Sequence, residues 1–315
     1  MTEKSLVSPK LPMATLLAAF GPNIEFSREL RSLTSYQTGG SARYFVECHT
    51  ADEIVRAMEA ARKLEIPYFV LGGGTNLLIS DEGYDGLIIK VNVTGIRVSA
   101  PEEIVCGAGE ELMALVNFAT TNGLSGMEFA AGIWGSVGGA IYGNAGAFGG
   151  EIGNVITEVT LVGRQTNSLR TEPGSYCQFA YRDSYLKTTH EVVVDTRLKL
   201  RAESPEKIQE TVNDILAQRQ TKHPDSLTAG CFFKNIPDPR EKFGKLPAGR
   251  LLEEIGAKGM QVGGAKVFDK HANIIVNTGT ATSKDIRQLA DIMKQKVRDR
   301  FGIELQEEVQ QIGQF

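Results

Sequence analysis

Apolar residues recurring at helical spacing mark the long helices of this chain. Ile54, Met58, Ala61 and Leu64 share one face of a helix predicted over residues 50–64. Ile286, Leu289, Ala290, Met293 and Val297 do the same over 284–300, where Thr282 or Ser283 can cap. Ser204-Pro205-Glu206 opens another helix, with serine at the cap and proline at the first helical position; it should run to Gln220 and bridge two units. Residues 110–122 and the short apolar run 11–20 complete the helical set. Strands are predicted where apolar residues run without that period: 42–47, 68–71, 86–93, 156–162, 192–200 and 274–276, with a turn and a strand over 301–312. The class is α+β. An N-terminal extension (1–27) precedes units at 28–94, 95–203 and 204–315.

Composition acts mainly by exclusion. A chain of 315 residues is too long for one small domain. A net charge of -4 provides no broad basic field for nucleic acid or anionic lipid, so any phosphate must be held locally. No apolar run approaches the roughly 20 residues that span a bilayer. The run at 11–20 follows Glu3, Lys4 and Lys10 and lacks a convincing cleavage site, so it reads as a short helix, with a cleaved signal as the alternative. Cys48, Cys106, Cys177 and Cys231 show neither a disulfide framework nor metal-ligand spacing, and His49, His190 and His223 form no ligand cluster. These features predict a cytoplasmic protein without a metal site or membrane insertion. Cys48, Cys106 and Cys177 lie in strand-like segments and should pack in cores.

Glycine placement is more informative. Gly72-Gly73-Gly74-Thr75-Asn76 follows an apolar strand, so its N–H groups could line an anion site, with Thr75 and Asn76 adding side-chain hydrogen bonds; a tight strand turn is the alternative. It matches neither GxGxxG nor GxxxxGK[ST]. Residues 132–150 (GIWGSVGGAIYGNAGAFGG) interleave glycine with alanine, Ser136 and Asn144. Such a stretch cannot build a bulky core, but it lets backbone lie against a flat ligand or a pyrophosphate. A closely packed turn is again the alternative.

GGGTNLL at 72–78, GxxGSVGGAxxxNAGAxGGE over 132–151 and TSYQTGG at 34–40 together resemble the UDP-N-acetylenolpyruvoylglucosamine reductase family, in its shorter subtype. CQFAYRDS (177–184), AGCFFKN (229–235), AGRLLEEIGAKGMQVGGAKV from Ala248, HANIIVNTG from His271 and LQEEV (305–309) extend the likeness over most of the chain. The resemblance implies a two-subdomain FAD-binding fold of the vanillyl-alcohol oxidase type, followed by a C-terminal α+β substrate domain. It implies FAD contacts from Gly72, Gly73, Gly74, Thr75, Asn76 and Leu77 in the first stretch. In the second it implies Gly132, Ser136, Gly138, Gly139, Asn144, Ala145 and Gly146. The implied reaction is NADPH-dependent reduction of UDP-N-acetylglucosamine enolpyruvate to UDP-N-acetylmuramate, for peptidoglycan synthesis, by a monomeric enzyme.

By the same resemblance Arg182, Cys231 and Glu308 fall on the family's catalytic arginine, proton donor and glutamate. Lys234 and Asn235 match best at the substrate site, while Arg219, Lys258 and Lys266 could meet the diphosphate as local cations, with ordinary solvated lysines the alternative for the last two. The chemistry makes these types sensible. Reducing an enolpyruvyl ether delivers hydride to the terminal methylene carbon and a proton to the carbon bearing the carboxylate. Arginine can hold that carboxylate with a planar fork. Glu308 would add negative charge there unless it is protonated, so an upward-shifted pKa is expected. Cys231 stands where the family more often has serine. A thiol, with an ordinary pKa of about 8.5, gives up a proton more readily than an alcohol. Ordinary alternatives exist for each: an Arg182–Asp183 surface pair, a solvated acidic tail at Glu308 and a small buried hydrophobe at Cys231. Trp134 replaces a common proline, and Phe268 a small hydroxyl residue. A flavin oxidoreductase acting on an alcohol and a catalytically silent paralogue that binds flavin or nucleotide-sugar are the rival readings.

Overall fold

The helix predicted over 50–64 forms as Ala51–Lys63. Thr50 caps it: the Thr50 hydroxyl accepts the Glu53 N–H at 3.2 Å while the Glu53 carboxylate accepts the Thr50 N–H at 3.2 Å. Asp52 and Glu53 sit at its positive end and Arg62 and Lys63 at its negative end. Ile54, Met58 and Ala61 are buried on one face, as the spacing predicts. The computed structural model describes residues 11–225, 227–241 and 244–315, so the N-terminal extension is described only from Leu11. Within it the apolar run forms the helix Met13–Phe20.

The chain forms two compact units. One takes residues up to Arg28, Ala42–Gly73 and Asp85–Gln218; the other takes Glu29–Ser41, Gly74–Tyr84 and Arg219–Phe315. The division falls inside the helix Pro205–Lys222.

The first unit is built on two larger sheets, of four and five strands. In the smaller, the strands Glu25–Glu29, Ser41–Cys48, Tyr84–Val91 and Tyr68–Leu71 lie in that spatial order, and the last two pair in parallel with Tyr68 opposite Leu87. The larger is antiparallel, with Leu169–Pro173, Ile156–Val162, Val192–Lys199, Glu103–Gly107 and Ile96–Ala100 in order. Val159, Leu161 and Leu198 are fully buried from its faces, together with Leu115 and Val116 of the helix Leu112–Thr121. Cys48, Cys106 and Cys177 are buried as expected, although Cys177 ends a 3-10 turn, Gly174–Cys177, rather than a strand. The glycine-rich stretch contains a helix that its composition hides, Val137–Gly143. Ser136 caps it, and Val137, Ala140 and Ile141 bury its inner face, which offsets the poor helix propensity of its glycines.

The second unit packs the helix Ser283–Phe301 against a small antiparallel sheet of Gln261–Val262, Ala265–Val267 and Ile275–Asn277. Ile286, Leu289, Met293 and Val297 are fully buried. Thr282 and Asp285 form the cap, and the Asp81 carboxylate accepts the N–H groups of Ser283 at 2.9 Å and Lys284 at 3.1 Å. The final strand, Gln310–Ile312, pairs in parallel with Leu77–Ile79. Segments distant in sequence thereby share one core.

Candidate active site

In the first unit the two glycine stretches are clamped together. The Gly73 N–H donates to the Ser136 hydroxyl at 3.1 Å, and the same oxygen accepts the Gly139 N–H at 3.3 Å. A Cβ on Gly72 would stand 2.6 Å from that oxygen, and one on Gly73 2.7 Å from the Gly135 Cα. Gly73 is thus crowded by backbone and Gly72 by the Ser136 hydroxyl. The Lys90 ammonium donates to the Gly72 carbonyl from beneath, and burial holds its pKa below the usual lysine value. Sequence reasoning missed Lys90; a single cation inside the apolar run GLIIKV was the available signal.

Gly139 and Gly143 differ from these. They lie one turn apart on the helix Val137–Gly143. Beyond its own helix, a methyl at Gly143 would meet no atom within 4 Å, and one at Gly139 only the Ser136 hydroxyl at 3.4 Å. Protein packing requires glycine at neither position, yet each costs the helix about 1 kcal/mol relative to alanine. Together they form a bare strip of backbone suited to a flat, closely apposed group, which fits FAD.

Other residues of the stretch support the loop. Asn144 is buried in a left-handed conformation. Its amide donates to the Ala180 carbonyl at 2.8 Å and its carbonyl accepts the Gly153 N–H at 3.1 Å. Ala145 donates to Ala140 and accepts from Ile152 through its backbone. Gly146 sits in a two-residue strand against Glu151, Gly138 packs on Ala108, and Gly132 takes a left-handed φ of 71°.

Asn144 also locates Arg182. Ala180 and Asp183 exchange backbone hydrogen bonds of 3.0 and 3.1 Å, closing a tight turn, and Arg182 occupies it at φ 53°. Its guanidinium lies 5.6 Å from the Tyr181 ring centroid. Asp183 lies 3.8 Å from the Lys187 ammonium.

The second unit holds Cys231, Lys234, Asn235 and Glu308. Cys231 bridges to Ile274, and the Phe232 N–H donates to the Asn273 carbonyl at 2.8 Å. On the other edge the Glu308 N–H donates to the Phe232 carbonyl at 2.8 Å, and the Lys234 N–H to Gln306 at 2.8 Å. The thiol and the glutamate therefore occupy adjoining chain segments, with Phe232 and Phe233 buried as anchors. Cys231 is half-exposed. By contrast, burial pushes the Cys48 and Cys106 thiols up to about 12 and that of Cys177 up to about 11.

Several predicted contacts are engaged within the protein. The Asn76 amide donates to the Glu308 carbonyl at 3.0 Å, and the Asn76 backbone carbonyl accepts the Gln310 N–H at 3.0 Å, so Asn76 holds the glutamate's segment. Thr75 offers its carbonyl to the Ser35 hydroxyl at 3.2 Å. Leu77 is buried in its strand. At Gly74, with φ 69°, a Cβ would stand 1.8 Å from the Leu33 carbonyl oxygen. The Asn235 side-chain carbonyl accepts the Ala248 N–H at 3.1 Å.

Arg219 lies in the last turn of the long helix near His223, whose ring centroid is 5.9 Å from that of His271, the two rings tilted by 36°. Burial, and then Arg219, push the His223 pKa down to about 4; burial also lowers that of His271. Lys222 and Lys258 add charge around the pair. Lys258 pairs with Glu253, and Lys266 with Asp269 at 2.9 Å. Among the described residues no His, Cys, Asp or Glu group could hold a metal ion.

Residues 42–171 match the family model described as FAD binding domain, and residues 222–312 match that described as UDP-N-acetylenolpyruvoylglucosamine reductase, C-terminal domain. The UDP-N-acetylenolpyruvoylglucosamine reductase of Solibacter usitatus is 37% identical over 93% of this chain and 98% of its own length. The chain belongs to that family. The Desulforamulus reducens reductase is 38% identical over 93% of this chain and 94% of its own. The crystal structure of the Thermus caldophilus reductase superposes with a TM-score of 0.77 at 32% identity, covering 90% of this chain and 97% of that one. The chain is thus an FAD-dependent oxidoreductase with the expected α+β fold. No helix among the described residues is long and apolar enough to cross a membrane.

Proposed function

We propose that this enzyme reduces the enolpyruvyl ether of UDP-N-acetylglucosamine enolpyruvate to UDP-N-acetylmuramate, with NADPH as the electron source, as a cytoplasmic monomer in peptidoglycan synthesis. The observation that carries this reading is the half-exposed Cys231, in a segment hydrogen-bonded to that of Glu308. When bound, FAD supplies two-electron hydride chemistry. The protein residues do the rest. Arg182 grips the substrate carboxylate and stabilises the charge that develops on it. The Cys231 thiol delivers its proton to the carbon bearing that carboxylate. Glu308, carried into place by Asn76, accompanies the carboxylate in its protonated form. Lys234 and Asn235 orient the sugar, and the diphosphate falls to Arg219 with Lys222, Lys258 and the His223–His271 pair. We further read residues 28–94 and 95–203 as two FAD-binding subdomains and 204–315 as the substrate domain.

NADPH and the UDP-sugar use one flavin in turn. In stopped flow, NADPH should bleach the flavin before substrate is added, and substrate should restore the colour. Bleaching that requires prior substrate would contradict alternation, and the absence of any enolpyruvyl-dependent NADPH oxidation would remove the reading altogether.

The bare strip on the helix Val137–Gly143 gives a second expectation. Gly143→Ala should stabilise the apoprotein by about 0.4–1 kcal/mol. It should also weaken FAD binding about tenfold or more, because one overpacked methyl costs about 1–3 kcal/mol. Thermal melting of the apoprotein and flavin titration separate the two effects. An unchanged FAD affinity would move the flavin off this strip.

A further inference from the structure

The Ser136 hydroxyl stands at the clamp between the two glycine stretches, on a residue only 5% exposed. Both of its lone pairs are taken, one by the Gly73 N–H at 3.1 Å and the other by the Gly139 N–H at 3.3 Å. The hydroxyl hydrogen is left to donate, and it meets no acceptor among the described residues. A buried donor without an acceptor is costly. Capping of the helix Val137–Gly143 uses only the lone pair that serves Gly139, so the cap does not account for the hydrogen.

Behind this oxygen runs a series of polar groups. The Gly72–Gly73 peptide is held at both ends, its carbonyl by the Lys90 ammonium and its N–H by Ser136. Lys90 is half-buried on the strand Tyr84–Val91, directly opposite Leu71. Its charge closes no ion pair among the described residues. Glu47, on the neighbouring strand Ser41–Cys48, acts on it electrostatically, but that carboxylate is exposed and accepts the Asn92 amide at 2.6 Å. A donor on a peptide carbonyl makes the N–H of the same peptide a stronger donor, and an N–H on a hydroxyl oxygen does the same for its O–H. Ammonium, peptide and hydroxyl in series therefore raise the donor strength of the Ser136 hydrogen.

An anion is the acceptor that best matches such a donor. In oxidised FAD the ring system is neutral and the diphosphate carries the charge. We propose that Lys90 is a positioning residue for FAD: acting through the Gly72–Gly73 peptide, it fixes and strengthens the Ser136 hydroxyl as a donor to the diphosphate of the bound cofactor. FAD binding is all that this role involves, and neither Cys231 nor the enolpyruvyl substrate enters it.

The test is a double-mutant cycle on FAD affinity, measured by titrating the deflavinated full-length protein with FAD. Lys90→Met removes the charge while keeping an unbranched side chain, and it should weaken binding about tenfold, the size of one ordinary hydrogen bond. Ser136→Ala removes a donor to a charged group and should weaken binding by about tenfold to a hundredfold. Added to Ser136→Ala, Lys90→Met should cost no more than about twofold, because the serine through which it acts is gone. A lysine that merely props the loop would cost the same factor in both backgrounds. Equal losses in the two backgrounds, or no loss in either, overturn the proposal. Should loss of the cap keep Ser136→Ala from folding, Ser136→Gly takes its place in the cycle, since glycine is tolerated at a helix N-cap. The midpoint potential of FAD-saturated Lys90→Met should equal the wild-type value, because the diphosphate keeps its charge when the flavin is reduced. A shifted potential would put the Lys90 charge beside the flavin ring and overturn its assignment to the diphosphate.

Discussion

Cys231→Ala should leave flavin reduction by NADPH at the wild-type rate and slow substrate-driven reoxidation by about 10²–10⁴-fold, the range for loss of a general acid. The asymmetry follows from where a proton is needed: hydride leaves the nicotinamide without one, whereas the reduced enolpyruvyl carbon must receive one. The fold should tolerate the change. Cys231 is half-exposed, and its segment is held by backbone bonds from Phe232 to Asn273 and Glu308 and by the buried Phe232 and Phe233 rings. Cys231→Ser should fall between the two, since an alcohol can donate a proton but holds it far more tightly than a thiol. Single-turnover stopped flow at substrate saturation separates the half-reactions. Wild-type reoxidation in Cys231→Ala would move the acid elsewhere, with Glu308 the first residue to examine.

Elements whose residues agree at every level were legible in the sequence. The helices Ala51–Lys63 and Ser283–Phe301 were placed to within a residue or so because apolar period, cap and end charges coincide. The helix Val137–Gly143 was not, because Gly138, Gly139 and Gly143 argue locally against a helix that only the burial of Val137, Ala140 and Ile141 makes worthwhile. Nor does any local pattern announce that Leu77–Ile79 pairs with Gln310–Ile312, which draws residues 74–84 into the same unit as the C-terminal third. At the site, residue types were readable but their tasks were not. Asn76 and Asn144 look alike as ligand contacts, yet one holds the Glu308 segment and the other the Arg182 turn. Lys90 escaped notice because its meaning lies in what it touches, the Gly72 carbonyl.

Arg182→Gly should stabilise the protein while removing most of its activity. Arg182 occupies φ 53°, a left-handed conformation that costs an L-residue about 1–2 kcal/mol and glycine almost nothing. The turn itself depends on backbone: Ala180 and Asp183 exchange hydrogen bonds, Asn144 holds the Ala180 carbonyl, and Lys187 reaches the Arg182 carbonyl, a bond that survives any side-chain change. Glycine should therefore raise stability by about 1 kcal/mol, less whatever the contacts of the arginine side chain contribute, the Tyr181 ring among them at about 0.5–1 kcal/mol. Loss of the guanidinium removes the donors that meet charge on the substrate carboxylate, worth about 10²–10³-fold in kcat. Arg182→Lys keeps the charge but not the planar fork and should recover only part of that loss. Melting temperature and kcat measured on the same preparations decide the matter. If Arg182 were a structural residue, glycine would lower both together; opposite signs mean that a strained position retains arginine for the reaction.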